Sequence, residues 1–587
     1  MRENDIVFFN LHRRYLNRAP EYGGFLGIYL LSAFDNANGY QGQAFAGSLH
    51  QGKVILDEIC QAEKVKIIGL YCDYANVTEN ILFARYIKEK YHLPVLLGGP
   101  QSFSLGSAFL QQSGVDVLVR GEGELTVLEL LDYFLDGTGT LDEIQGISFS
   151  SENGFQETAT RAPIENLDAL PWIDEECYLL PRKDWHELSI MTGRGCPFNC
   201  AFCHEAGHTR GVRFRSVENV LSEIDAFFHQ HGSPRSCYIL FTDDAFTLDA
   251  DRVHQICEGL RERQKKWGFH WFCEGHVHTL AMHPEMIQNL AAAGLQRIQL
   301  GIEAGTNQVL DAYRKHTDIE EIKRVVIACR DAGIQQIYGN LILGSAFFSE
   351  ETYQKDLAFG KELLHLGKGS LELGVVTYWP LPGTSMTDHP EKYKLKLADK
   401  EFLTSVDDFP QTETDGFDRF RILQLVQNME QEFNQVRQDM LLSGEVPMER
   451  MLSWYPSTSV FKSYGLWWQT LCQLPHLLAY GHMLLTGDGM TGKDAASMGA
   501  EAHPMRLLSI QQYLKWDGAT GTMADVQLNS KEIDVLILCT GRMNCQEIFS
   551  YLQERGILRT YEEMTVILQR LEKYYLIIFS SELKEVI

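Results

Sequence analysis

The sequence predicts an α/β protein made of an N-terminal doubly wound parallel sheet, a central partial (β/α)6 TIM-like barrel and a mostly helical C-terminal region. Three observations predict it. Between residue 5 and about 135, apolar runs of five to eight residues alternate with amphipathic segments, the pattern of a parallel sheet covered on both faces. From about 186 to 390 a second alternating series repeats some six times, which calls for consecutive βα units. Beyond residue 400 the helical period dominates, as in "DRFRILQLVQNMEQEFNQVRQDMLL". With 587 residues the chain is too long for one hydrophobic core.

In order, residues 1–150 read as a Rossmann-like domain of about five strands: "DIVFFN", "QAFAGSL", "VKIIGLYC", "VLLGG" and "VDVLVRG", with helical segments between them. Ligands sit beyond the carboxyl ends of such strands. Three of those ends carry loop chemistry, "CDYANVTEN", "GGPQS" and "RGEGE", in which Gly98, Gly99, Gly121 and Gly123 let backbone approach a bulky ligand. Residues 151–185, rich in proline and lacking periodicity, read as a linker. Residues 186–390 supply the barrel strands "ELSIMTG", "SCYILFTDD", "FHWFCEG", "RIQLGIEAG", "QIYGNLILG" and "LELGVVTYWP". Residues 391–587 end in a helix, helix, helix, strand tail that suggests a small winged-helix-like module.

Composition narrows the function. The hydrophobic content of 45% and charged content of 22% are those of an ordinary soluble protein. A net charge of −26 disfavours nucleic acid or an anionic membrane as the main partner. The most apolar tract, "GLWWQTLCQLPHLLAYGHMLL", is interrupted by glutamines, histidines and a proline, so it reads as buried helix rather than a membrane span. "MRENDIVFFNLHRRYL" has no apolar run leading to a small-residue cleavage site. Thirteen scattered cysteines fit a reducing cytoplasm better than a disulfide scaffold, and a cytoplasmic protein is expected.

Only Cys196, Cys200 and Cys203 cluster, and "MTGRGCPFNCAFCHEAGHTR" supports two metal sites. His204, Glu205 and His208 spell H-E-x-x-H, which on a helix would bind zinc with the glutamate as base. Gly207 and the cramped "PFNCAFC" oppose a helix there. Three thiolates within eight residues, bracketed by Gly193, Gly195 and Pro197, suit instead a loop wrapped on one inorganic cluster. The stretch "GDGMTGKD" lacks the Ser or Thr that a phosphate loop needs after its lysine and reads as a plain loop.

The C-x3-C-x2-C pattern at the end of a first βα strand resembles the signature of radical SAM enzymes. "FTDDAFTLD", "LGIEAGTNQVL", "GNLILG" and "YWPLPGTSM" follow in the family's order. "VLLGGPQS" and "DVLVRGEGELTVLELL" resemble the cobalamin-binding domain that precedes the barrel in the B12-dependent class. The D-x-H-x-x-G motif is absent, and the resemblance then implies cobalamin without a lower histidine ligand.

That resemblance implies a [4Fe-4S] cluster on Cys196, Cys200 and Cys203, with S-adenosylmethionine at the open iron. It assigns the S-adenosylmethionine contacts to Phe202, Asp243, Asp244, Glu303 and Asn340. It assigns cobalamin to Tyr74, Asn76, Gly98, Gly99, Pro100, Gly121, Glu122, Gly123 and Glu124. The reaction it implies begins with a 5'-deoxyadenosyl radical and most often ends in methylation of an unactivated carbon, the alternative being cyclisation or rearrangement without methyl transfer. An electron donor such as flavodoxin or ferredoxin and a small-molecule or peptide substrate are the expected partners. A zinc hydrolase and a non-catalytic cobalamin-binding module are the competing classes.

Overall fold

The computed structural model describes residues 3–12, 26–182, 185–205, 211–232, 237–398, 409–456, 465–508, 515–516, 520–523 and 526–581. The chain divides into two compact units, residues 1–360 with 373–429, and residues 361–372 with 430–587.

The first unit contains two large sheets. The N-terminal one begins with the parallel strands β1 (Asn4–His12), β2 (Gly42–Ser48), β3 (Val65–Tyr71), β4 (Val95–Gly98) and β5 (Val117–Val119), in the spatial order 2-1-3-4-5. Because successive side chains point to opposite faces, these apolar strands feed two cores. Val7, Phe9, Leu11, Ile68 and Leu70 pack on one face with the helices Leu49–Gln61 and Val77–Tyr91. Ile6, Phe8, Ile67, Leu96 and Val117 pack on the other, against helices at Leu26–Ala37 and Glu124–Leu131. The order reverses between β1 and β3, and such a switch opens a crevice at the strand ends.

The sheet is larger than the five strands expected. Residues read as linker form part of an antiparallel hairpin, β6 (Ile147–Ser151) and β7 (Gly154–Glu157), which extends the sheet to seven strands. Only Ile147 and Phe149 are deeply buried apolar residues in this hairpin, so its sequence carries no long apolar run.

The second sheet has six strands, β8 (Glu187–Ile190), β11 (Tyr238–Phe241), β12 (His270–Gly275), β13 (Leu295–Leu300), β14 (Gln336–Leu343) and β15 (Leu371–Thr377), neighbours in chain order. Right-handed crossovers between sequential parallel strands put all the helices on one face. Burial alternates accordingly: Trp271, Cys273, Ile298, Ile337 and Leu341 are buried, whereas Phe272, Glu274, Arg297, Gln299, Tyr338 and Asn340 between them are only partly so. Trp271 donates from Nε1 to the carbonyl of Ala293 at the end of a covering helix (2.8 Å), which fixes the buried side as the helix side.

The second unit is mainly helical, with two small sheets. Its helices Ser530–Leu538 and Cys545–Glu554 each start at a capping box, Asn529 with Glu532 and Asn544 with Glu547. Leu536, Ile548, Leu571 and Ile577 form its core. No described helix is long and apolar enough to cross a membrane.

Candidate active site

The cysteine loop hangs from a short neck, strands β9 (Gly193–Arg194) and β10 (Arg213–Phe214), paired antiparallel. The neck needs its glycines. A Cβ on Gly193 would stand 2.7 Å from Cδ1 of Phe214, and Gly195, at φ +91°, would drive one into the carbonyl of Gly211. Below the neck, Ala201 donates to the carbonyl of Tyr313 (2.8 Å) and accepts from the amide of Met386 (3.0 Å). The loop is therefore tied at its middle, between Cys200 and Cys203.

Burial pushes the thiols of Cys196 and Cys200 above their ordinary range. A buried cation opposes this at Cys200. Lys315 pairs with Glu303 (3.0 Å) and stands over the ring of Phe202, 5.8 Å from its centre. Phe202 in turn meets Tyr313 edge-on at 5.0 Å. Among the described residues no three His, Cys, Asp or Glu side chains converge on one metal ion. A [4Fe-4S] cubane does not ask them to, because each cysteine takes a different iron. Three thiols on one tethered loop beside a buried cation fit an anionic cluster of that size. Of the competing zinc set, His204 and Glu205 flank the same region while His208 lies outside the described residues.

A cavity of about 580 Å³ joins the two sheets. It opens at the carboxyl ends of β3, β4 and β5 and is lined there by Gly98, Gly99, Pro100, Gly121, Glu122, Gly123 and Glu124. Across from these stand Gly193, Arg194 and Gly195 of the neck, with His204, Glu205 and Asp244. The size suits a cofactor. Gly99, at φ +107°, lies so near Cys72 that a Cβ would come within 2.6 Å of its carbonyl oxygen, so the backbone itself forms that wall. Gly121, at φ +90°, leaves its Cβ position open beside Phe103 (3.9 Å), and these bare turns fit a broad, flat ligand such as a corrin.

Tyr74 and Asn76 do not line the cavity. Tyr74 packs edge-on against Trp379 at 5.2 Å. Asn76 is buried and donates to the carbonyl of Tyr71 (3.1 Å) and to Asn10 (3.3 Å), holding the turn after β3. Glu122 and Glu124 line the cavity with their carboxylates already engaged. Arg213 pairs with Glu122 at 2.6 Å, and Arg194 reaches Glu122 at 3.4 Å and also binds Glu124. Burial pushes Glu122 up, but the two arginines outweigh it and hold the carboxyl below its ordinary range. These pairs bolt the third glycine turn to the neck of the cysteine loop.

The two aspartates after β11 part company. Asp243 is buried and accepts from the amide of Thr192 (2.6 Å) and from its hydroxyl, whereas Asp244 faces the cavity. Burial pushes Asp243 up to about 6 against the bonds from Thr192. Because the folded value lies above the ordinary 3.8, this group's contribution to stability is complete below about 3.8 and lost as pH rises through about 6. Asp243→Asn is expected to flatten that part of a Tm-against-pH profile, and Asp243→Ala to cost roughly 3 kcal/mol at low pH through the donors it strands.

Glu303 follows the end of β13 and Asn340 lies within β14, and the amide of Glu303 donates to the carbonyl of Asn340 (2.8 Å). Asn340 also accepts from the hydroxyl of Tyr338 (3.1 Å). Glu274, one strand over, is pushed up to about 7 by burial and by Asp244. The acids Asp244, Glu274 and Glu303 thus share one end of the second sheet with Lys315. Sequence reading missed Lys315, and it missed Arg194 and Arg213, whose partners lie 70 and 91 residues away along the chain.

Residues 190–359 match the radical SAM superfamily. That segment is a radical SAM domain. The fold similarity reaches beyond the matched segment. The radical SAM methyltransferase TsrM from Kitasatospora setae superposes with a TM-score of 0.56 at 17% identity, covering 68% of this chain and 79% of that one. The cobalamin-dependent radical SAM enzyme OxsB gives 0.59 at 17% identity, covering 81% and 75%. Among curated proteins, an uncharacterized methyltransferase of Pyrococcus horikoshii is 29% identical over 52% of this chain and 64% of its own length. The anaerobic magnesium-protoporphyrin IX monomethyl ester cyclase of Rubrivivax gelatinosus is 28% identical over 44% and 48%. The chain spans about half the length of the curated relatives it matches.

Proposed function

We propose that this radical SAM chain is a cobalamin-dependent methyltransferase acting on an unactivated carbon of a small-molecule or peptide substrate. The observation that carries the reading is the single cavity that runs from the glycine turns of the first sheet to the neck of the cysteine loop. Two cofactors held there would face each other across one shared space. When bound, the cluster and S-adenosylmethionine supply a 5'-deoxyadenosyl radical and cobalamin carries the methyl group.

The chain's own part is holding and shielding. Cys196, Cys200 and Cys203 would hold the cluster on a loop fixed through Ala201. Asp244 rather than Asp243 would meet the ammonium of S-adenosylmethionine, since Asp243 already serves Thr192. Glu303 and Asn340 would receive the ribose or methionine end. Gly98, Gly99, Gly121 and Gly123 would let the corrin lie against backbone, with Glu122 and Glu124 securing that wall. The second sheet reads as the partial barrel, and the partly exposed Arg297, Gln299, Glu274 and Tyr338 on its uncovered face favour a substrate with hydrogen-bonding groups. Reduction requires an external electron donor, for which a flavodoxin or ferredoxin is suited.

The test is anaerobic incubation of reconstituted protein with cobalamin, S-adenosylmethionine and dithionite, read by mass spectrometry. Both 5'-deoxyadenosine and S-adenosylhomocysteine are expected. 5'-Deoxyadenosine alone would transfer the protein to the cyclisation and rearrangement chemistry of this class, and neither product from protein with full cofactors would reject the enzyme reading.

A further inference from the structure

We propose that Lys315, held by Glu303, is a positioning residue that sets the charge beside the cluster loop and so makes the cluster easier to reduce. The inference rests on the cluster reading above and adds to it a residue that no cofactor motif includes.

Four observations converge on this lysine. Its side chain is buried, at 9% exposure, at the heart of the site. Its partner Glu303 is a non-glycine residue at φ +65°, and the residues on either side of it, Arg314 and His316, are at φ +55° and +54°. Left-handed backbone at a non-glycine residue such as Glu303 persists where surrounding structure imposes it. Arg314 ends the helix Asn307–Ala312 with a left-handed turn, which leaves Lys315 buried while Arg314 and His316 stay exposed. Gly301 leaves the room, since a Cβ there would strike both Nζ of Lys315 and the Glu303 carboxylate.

The charges around the ammonium explain what the pair does. Lys315 acts electrostatically on Cys200 and Cys203 as well as Glu303, and on Glu274 across the sheet end. Burial pulls its proton affinity down, but these anions outweigh burial and raise it, so the side chain is a permanent cation. One-electron reduction adds a negative charge to a cluster held by these thiolates. A fixed cation nearby favours the reduced form and raises the potential, because charge and burial around a cluster set that potential. Glu303 offsets part of the cation's field and fixes its position. A purely structural ion pair predicts no such effect of sign.

The experiment is potentiometric titration with dithionite, followed by electron paramagnetic resonance, on anaerobically reconstituted full-length protein. Iron and sulfide are measured first, and about four of each per chain are required. Wild-type protein without them would refute the cluster reading itself before any variant is compared. Lys315→Met is expected to lower the midpoint potential, Lys315→Arg to keep it near wild type, and Glu303→Gln to raise it. Opposite shifts from the two partners are the result a structural role would not give. A Lys315→Met protein with full iron and an unchanged midpoint overturns the proposal. If that variant takes up no iron, Glu303→Gln decides alone, and an unchanged or lowered midpoint there overturns it equally.

Discussion

Cys200→Ala is expected to bring 5'-deoxyadenosine formation to background and to leave the protein folded. Cys200 is 8% exposed and sits one residue before Ala201, whose two backbone bonds anchor the loop. Those bonds involve no side chain of Cys200, so the tether survives the substitution. The lost sulfur is a modest packing defect, costing about 1 kcal/mol. Two thiols remain, and they cannot hold a cubane that needs three irons anchored to leave one open for S-adenosylmethionine. Iron content after reconstitution should fall sharply while Tm of the apo-protein barely moves. A variant that keeps its full iron and still forms 5'-deoxyadenosine would sink the assignment of this loop as the cluster site.

Gly99→Ala is expected to abolish cobalamin retention and to spare the cluster. The backbone at φ +107° disfavours any side chain, and the new Cβ would face the carbonyl oxygen of Cys72 at 2.6 Å and its amide nitrogen at 3.0 Å. Both atoms are backbone, and the Cys72 amide already donates to the carbonyl of Gly98 (2.7 Å). The clash cannot be relieved by a rotamer, so the turn after β4 must move into the cavity it lines. Gly106→Ala is the matched control: its φ is −117° and nothing stands within 4 Å of its Cβ position. Absorbance after gel filtration with hydroxocobalamin, alongside iron analysis, separates the outcomes. Equal cobalamin retention by both variants would remove the glycine turns from the cofactor's site.

Features set by near neighbours in the chain were legible in the sequence. The cysteine spacing, the glycine turns and the alternating apolar runs depend on residues within a few positions, and the two main sheets formed where those runs lie. What escaped notice depends on partners separated by long stretches. Glu124 meets Arg194 seventy residues on, and nothing near "RGEGE" distinguishes a carboxylate engaged by arginine from one awaiting a ligand. Asp243 and Asp244 are identical in type and adjacent, and only the position of Thr192 separates their roles. Lys315 escaped because its burial follows from the left-handed turn at Arg314 and His316, and neither arginine nor histidine in a sequence announces such a turn. The hairpin Ile147–Glu157 escaped because an edge pair needs few apolar residues once a sheet exists to receive it.

The alternating burial of β12, β13 and β14 has a consequence for descent. The packing under the helices is made by Trp271, Cys273, Ile298, Ile337 and Leu341, while Phe272, Glu274, Arg297, Gln299 and Tyr338 stay partly exposed on the other face. Residues on that face can therefore be exchanged without disturbing the packing under the helices. A lineage that exchanges these residues acquires a different chemical preference without first having to reinvent a foldable chain, which is how one scaffold comes to be inherited by proteins with dissimilar substrates.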